Sequence, residues 1–153
     1  MGKRKAWIVD VDGTLADVSG IRHFVVKTPD NRFKDFDKFH AHSVDVPAHG
    51  HVVEMVREAK AAGFDILIVT ARRAKWRHHT AWFLALNGVP SDALFMRGNK
   101  DGRRDFEVKA DILARIQKSW DVVHAVDDRP EVCALWEANG IPVTRVPGWQ
   151  ELD

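Results

Sequence analysis

Asp10 and Asp12 stand one residue apart at the end of an apolar run that begins at Trp7, and Gly13 and Thr14 follow at once. Apolar segments that fold into a core normally exclude carboxylates, because an ionised group loses its hydration there. Three further stretches deliver polar groups in the same way. "FDILIVTAR" runs into Thr70 and Arg72, "VVHAVDD" ends on Asp127 and Asp128, and "DFEVK" sets Asp105 and Lys109 one helical turn apart. Carboxylates gathered in one place raise each other's pKa unless a cation neutralises them. Hard oxygen donors without cysteine or paired histidine suit Mg2+, which keeps most of its waters and takes one or two protein carboxylates. Opposite them, the Thr70 hydroxyl and the cations of Lys109 and Arg72 suit an anion with several oxygens, such as a phosphoryl group. A carboxylate can serve as nucleophile toward such a group while a second acts as general acid and then base. Asp10 and Asp12 can divide those roles, with Gly13 permitting a sharp turn behind them.

These residues need a scaffold that brings their segments together. Short runs of β-formers alternate with longer stretches of helical period, which is the pattern of a parallel sheet with crossover helices. The spacing predicts strands over 6–11, 64–71, 93–97, 122–128 and 142–146, with helices over 48–63, 74–88, 105–120 and 129–140. Near-continuous apolar strands predict a sheet covered by helices on both faces, an α/β Rossmann-like architecture. In such sheets ligands bind outside the carboxyl ends of the strands, where every polar group named above falls. Trp82, Phe83 and Leu86 lie at helical spacing and are expected in the core. The segment 18–46 fits neither period and is read as a small cap or substrate-side insertion in a single domain spanning 1–153, with Arg22 as a substrate contact within it.

Composition narrows the classes. At 153 residues and 45% hydrophobic, the chain can bury one compact core, and its formal net charge of +1 does not by itself argue for nucleic acid or membrane. The single cysteine, Cys133, is expected as a small apolar residue of a helix, since it has no partner for a disulfide. No long uncharged apolar stretch is present, which predicts neither secretory signal nor membrane span and a cytoplasmic location. His40, His42, His49 and His51 crowd together like a transition-metal set, but without a cysteine they are read as surface or substrate-side histidines. "RRAKWRHH" over 72–79, with Arg97, Arg103 and Arg104, could track a nucleic-acid backbone while Trp76 stacks on a base. A solvated helix face with a packed tryptophan is the alternative.

"DVDGT", a strand ending in "VTAR", a lysine on a helix and "VDDR" occur in the order of the four motifs of the haloacid dehalogenase superfamily of phosphotransferases, and the chain resembles that superfamily. "DVDGTLA", "TAR", "DFEVK" and "AVDDRPEVCALWEANGI" are most similar to the 3′-phosphatase domain of the phage polynucleotide kinase-phosphatase. The resemblance implies a Mg2+-dependent phosphatase with Asp10 as nucleophile and Asp12 as general acid and base. Asp10, the backbone carbonyl of Asp12 and Asp127 would hold the metal, and Asp128 would orient its waters. Thr70, Thr14 and Lys109 would bind the phosphate with help from Arg72, while Arg104 would serve as a substrate contact and Asp105 would orient Lys109. It implies nucleic-acid 3′-phosphate ends as substrate, with free nucleotides or a small phosphorylated metabolite as the alternative. A non-catalytic binding subunit is disfavoured, because it has no need of an intact carboxylate pair. The sequence contains no GxxxxGK[ST] loop, so a kinase partner is expected to be a separate chain, with a ligase chain as a further candidate partner. It carries no signal for oligomeric state.

Overall fold

A computed structural model describes residues 2–26 and 34–147. Five strands, β1 (Arg4–Val9), β2 (Asp65–Arg73), β3 (Ala93–Arg97), β4 (Trp120–Asp127) and β5 (Val143–Arg145), pair in parallel in the order β3-β2-β1-β4-β5. The helices are α1 (Phe36–His42), α2 (Gly50–Ala61), α3 (Arg77–Leu86), α4 (Asp105–Ile116) and α5 (Pro130–Ala138). The fold is the Rossmann-like α/β sheet that the apolar runs predict.

The strand period of two sorts the core into two layers. Ile66 and Ile68 of β2 face the layer holding Val52, Val56, Phe83 and Leu84 of α2 and α3. Leu67 and Val69 face Ile112, Ile116, Val132 and Trp136 of α4 and α5. Helices therefore cover both faces, which is why these strands carry almost no polar residue until their ends.

Two expectations are corrected here. Of the α3 trio only Phe83 is buried; Trp82 is 59% and Leu86 60% exposed. The inward stripe of α3 is Thr80, Phe83 and Leu84, and Trp82 and Leu86, four residues apart, share another face. The segment 18–46 is also not without helical period, since it contains a 3-10 turn at Arg22–Phe24 and the helix α1. The Asp35 side chain caps α1 by accepting from the Lys38 N–H at 3.0 Å, and Phe39 turns into the core. An Asp cap followed by Phe36, Phe39 and His40 at helical spacing is the signal that identifies it. Residues 27–33 of the segment lie outside the described residues. Among the described residues, no helix is long and apolar enough to cross a membrane.

Candidate active site

Parallel register brings the chemistry together. Val9 of β1 lies beside Ile68 of β2 and Val126 of β4, so the residues that follow each of them leave the sheet at one edge. The Asp10 N–H donates to the Val126 carbonyl at 3.0 Å, which fixes Asp10 next to Asp127. Gly13 turns the chain at φ +82°, and a Cβ there would lie 2.3 Å from Asp128 Oδ2. Only glycine lets this loop close over the second aspartate of the pair.

Asp10, Asp127 and Asp128 are buried and place one carboxylate oxygen each within 4.8 Å of one another. Lys109, 2% exposed, donates to Asp10 Oδ1 and Asp127 Oδ2, both at 2.9 Å. The other Asp127 oxygen accepts from the Asp128 and Arg129 backbone N–H groups. The Thr14 hydroxyl lies 3.0 Å from Asp10 Oδ2 and 3.1 Å from Asp128 Oδ1. Asp128 Oδ2 is buried and has no partner among the described residues. Burial, and then the charge of Asp127, hold both Asp10 and Asp128 above the ordinary carboxylate range. Burial alone would drive the Lys109 ammonium down, but Asp10 and Asp127 outweigh it and hold it above its usual value. Three buried carboxylates against one ammonium, with an orphaned oxygen, fit a divalent cation bound through oxygen.

Asp12 points the other way. Its half-buried carboxylate receives two parallel bonds from Arg72, Nε to Oδ2 at 2.9 Å and Nη2 to Oδ1 at 2.5 Å. Burial pushes Asp12 up, yet the Arg72 guanidinium outweighs it and the net shift is downward. Arg72 is itself 1% exposed, and its Nη1 donates to the Thr80 hydroxyl at 3.0 Å. The two aspartates of "DVD" thus occupy different electrostatic environments, one facing a lysine and carboxylates, the other a guanidinium.

Asp10, Asp12, Thr70 and Lys109 line a cleft of about 580 Å3, shared with Phe36, Phe39 and His40 of the 18–46 segment and with Trp76, Arg97, Arg103 and Arg129. A floor of carboxylates and one ammonium, under walls carrying guanidinium groups and aromatic rings, matches an anion attached to a partly apolar body.

Residues 4–148 match the family model of the polynucleotide kinase PNKP phosphatase domain. The chain belongs to that family. It is a PNKP-type phosphatase domain of the haloacid dehalogenase type. A chain of the Pnkp1/Rnl/Hen1 complex is similar at 27% identity and a TM-score of 0.80, over 97% of this chain and 47% of that one. A second structure, of the Pnkp1/Rnl/Hen1 RNA repair complex, has 27% identity and a TM-score of 0.79 over 95% of this chain and 43% of the other. This chain therefore spans about half the length of those relatives. The class C acid phosphatase of Bacillus anthracis with tungstate bound shares the fold at 17% identity and a TM-score of 0.73, over 97% of this chain and 68% of that one.

Within this PNKP-type phosphatase the other expected site residues are placed as follows. Thr70 is buried in the cleft wall, and its hydroxyl accepts the Arg72 N–H at 3.2 Å. Arg72 is turned from the expected phosphate contact to Asp12, because a bidentate carboxylate satisfies its fork inside the protein. The Thr14 hydroxyl likewise lies against Asp10 and Asp128, and Thr14 is not among the cleft-lining residues. Asp105 does not reach Lys109; Arg97 Nη2 at 2.8 Å and Arg129 Nε at 3.5 Å take its carboxylate. Arg104 is exposed at the start of α4, where its N–H donates to Glu107 and the neighbouring Arg103 faces the cleft in its place. Arg22 sits in the 3-10 turn and does not line the cleft. The histidines diverge. His40 faces the cleft, His42 stacks on Phe24 at 5.3 Å, and His49 Nδ1 lies 2.8 Å from the Thr14 carbonyl. Trp76 lines the cleft wall with an edge-on contact to His79.

Two residues gain roles that sequence alone does not suggest. Arg97, 8% exposed, donates to the carbonyls of Ala71, Asp101 and Arg103 and to Asp105, so it ties the end of β2 to the loop before α4. Thr80 anchors Arg72. Neither has a motif, because each acts through a partner distant in sequence.

Proposed function

We propose that this phosphatase removes 3′-phosphates from nucleic-acid ends through an aspartyl-phosphate on Asp10, with Mg2+ as its cation. The observation that carries the reading is the division between the two aspartates. Asp10 sits among Lys109, Asp127 and Asp128, whereas Asp12 is held apart by Arg72. Asp10, Asp127, Asp128 and the Asp12 backbone carbonyl would hold Mg2+, which supplies charge neutralisation between the carboxylates and a phosphoryl oxygen. Asp12, ionised beside Arg72 in the free site, takes up the proton that a phosphomonoester monoanion brings; Asp10 then attacks phosphorus as the ester oxygen leaves, and Asp12 gives that oxygen the proton. Asp12 then takes a proton from the water that hydrolyses the acyl phosphate and passes it to the departing phosphate, returning both carboxylates to their first state. Arg72 holds the Asp12 carboxylate in place for both transfers, while Thr70 and Lys109 receive the phosphoryl oxygens.

The choice of a nucleic-acid end rests on the family, on the guanidinium and aromatic groups around the cleft, and on a 18–46 segment that acts as a small substrate-side cap within one domain. A short cap leaves an opening for a polymer, where a large lid would enclose a small molecule. The similar structure is of a Pnkp1/Rnl/Hen1 complex, and partner chains in a cytoplasmic setting are proposed here too. The deciding experiment is phosphate release with Mg2+ from a 3′-phosphorylated oligonucleotide, a 5′-phosphorylated one and a 3′-mononucleotide, with Asp10→Asn as control. Preference for the first supports the reading, and release from the mononucleotide alone replaces it with nucleotide metabolism.

A further inference from the structure

His40 stands in the wall of the cleft without a partner. It lies on α1 and is 8% exposed, and its Nδ1 is buried with no hydrogen bond among the described residues. The ring contacts Phe39 edge-on at 5.1 Å and Trp76 at 5.8 Å, and Phe36 stacks toward it at 6.2 Å. A buried polar nitrogen left unpaired costs free energy, and the ring that carries it lines the cleft, so a ligand group that turns this ring toward itself completes the missing bond. The ring is neutral at neutral pH, because burial pushes its pKa down to about 4. A neutral imidazole offers one donor and one acceptor and gives an anion no ionic attraction; its complement is a neutral hydroxyl, which can do both.

Which hydroxyl follows from position. His40 and Asp12 line the same cleft, and Asp12 is the group proposed to protonate the leaving oxygen. In a polynucleotide ending in a 3′-phosphate, the terminal sugar keeps at most one free hydroxyl, the 2′-hydroxyl, on the carbon next to the leaving oxygen. Deoxyribose has none. We propose that His40 hydrogen-bonds the 2′-hydroxyl of the terminal nucleotide and makes this enzyme select RNA 3′-phosphate ends over DNA ends. The inference rests on the 3′-phosphatase reading above and narrows its substrate to one sugar.

The test uses three oligodeoxynucleotides that differ only in the 3′-phosphorylated terminal residue, which carries 2′-hydroxyl, 2′-hydrogen or 2′-fluorine. The fluorine keeps a ribose-like pucker but donates nothing. With the wild-type enzyme and Mg2+, the hydroxyl terminus is expected to be cleaved with a kcat/KM about tenfold above the other two, the worth of one hydrogen bond to a neutral group. His40→Phe, which keeps an aromatic ring in the wall, should bring the three values together. His40→Asn, which can still bond a hydroxyl, should retain part of the preference and covers the case in which the Phe variant does not fold. Equal wild-type values for the three termini, a fluorine terminus that matches the hydroxyl one, or a preference that survives in His40→Phe would each overturn the proposal. Release from none of the three would instead overturn the 3′-phosphatase reading, and the role of His40 with it.

Discussion

Arg72 shows how a single side chain sets the chemistry of another. Its guanidinium is buried and makes both bonds to Asp12, so losing it leaves a half-buried carboxylate without its partner. Arg72→Ala is expected to lower stability by about 3 kcal/mol, measured by urea unfolding, since breaking a buried pair strands the remaining charge. Arg72→Lys keeps the charge but not the fork, and should reduce kcat by roughly 10- to 100-fold with little change in KM, because Asp12 is then held at a point instead of in a plane. Burial raises the Asp12 pKa, and Arg72, with smaller help from His40 and Lys109, brings it below the ordinary value. Removing Arg72 therefore leaves burial opposed only by the smaller pulls of His40 and Lys109, and the limb of the pH–rate profile belonging to Asp12 should move to higher pH. The aspartates, Thr70 and Lys109 could be picked out in the sequence because polar residues break apolar strands or follow a fixed turn of helix. The bonds that Arg72 makes were not legible, since a guanidinium beside a strand end serves a carboxylate or a phosphate equally well until the fold brings Asp12 and Thr80 to it.

Elements were readable where one periodicity rules. The strands lie within a few residues of the apolar runs that predict them, and both faces are covered as those runs require. Helix faces were less so, because Trp82 and Leu86 share the helical period with Phe83 and only the neighbours of α3 decide which stripe turns inward. The helix α1 is short, and its two roles, packing Phe39 and turning His40 to the cleft, come from tertiary contacts. That burial has a consequence for the pH stability of the element. His40 is pushed down to about 4 by burial and by the charges of Arg72 and Lys75, against the opposing pull of Asp12 and Asp37, whereas an unfolded histidine titrates near its ordinary value. Between roughly pH 6.5 and 4 the unfolded chain binds the proton that the folded one does not, so stability falls as pH falls through that window. Unfolding by urea at pH 7 and at pH 4.5 should show a larger loss for wild type than for His40→Phe, by about 2 kcal/mol. Equal losses would mean that α1 opens to let the ring charge in water. The loop after β1 makes a second prediction. At Gly13, φ is +82° and a Cβ would meet Asp128 Oδ2, so Gly13→Ala should cost at least about 1–2 kcal/mol in backbone strain and displace Asp128. Phosphate release should fall sharply in that variant while the far-ultraviolet circular dichroism of the sheet and helices stays as in wild type.

At the scale of the molecule, the two apolar layers converge on a sheet edge that gathers like charges. Asp10, Asp127 and Asp128 are placed there by register, not by attraction, and Lys109 is, among the described residues, the single buried ammonium beside them. The fold therefore carries repulsion that Lys109 relieves only in part, and burial together with the charge of Asp127 raises the pKa of Asp10 and Asp128. A divalent cation that binds only the folded chain relieves that repulsion and adds RT ln(1 + [M]/Kd) to stability, about 2.7 kcal/mol at a hundredfold excess over Kd. For a chain of this size the thermal midpoint should rise by roughly 5–10 °C on adding Mg2+ and return when it is chelated. Asp128→Asn weakens the donor set and also removes one of the repelling charges. Its midpoint without metal should therefore equal or exceed that of wild type, while its response to Mg2+ shrinks. A variant that loses stability without metal and still responds fully would show that Asp128 supports the loop through Thr14 and takes no part in holding the cation.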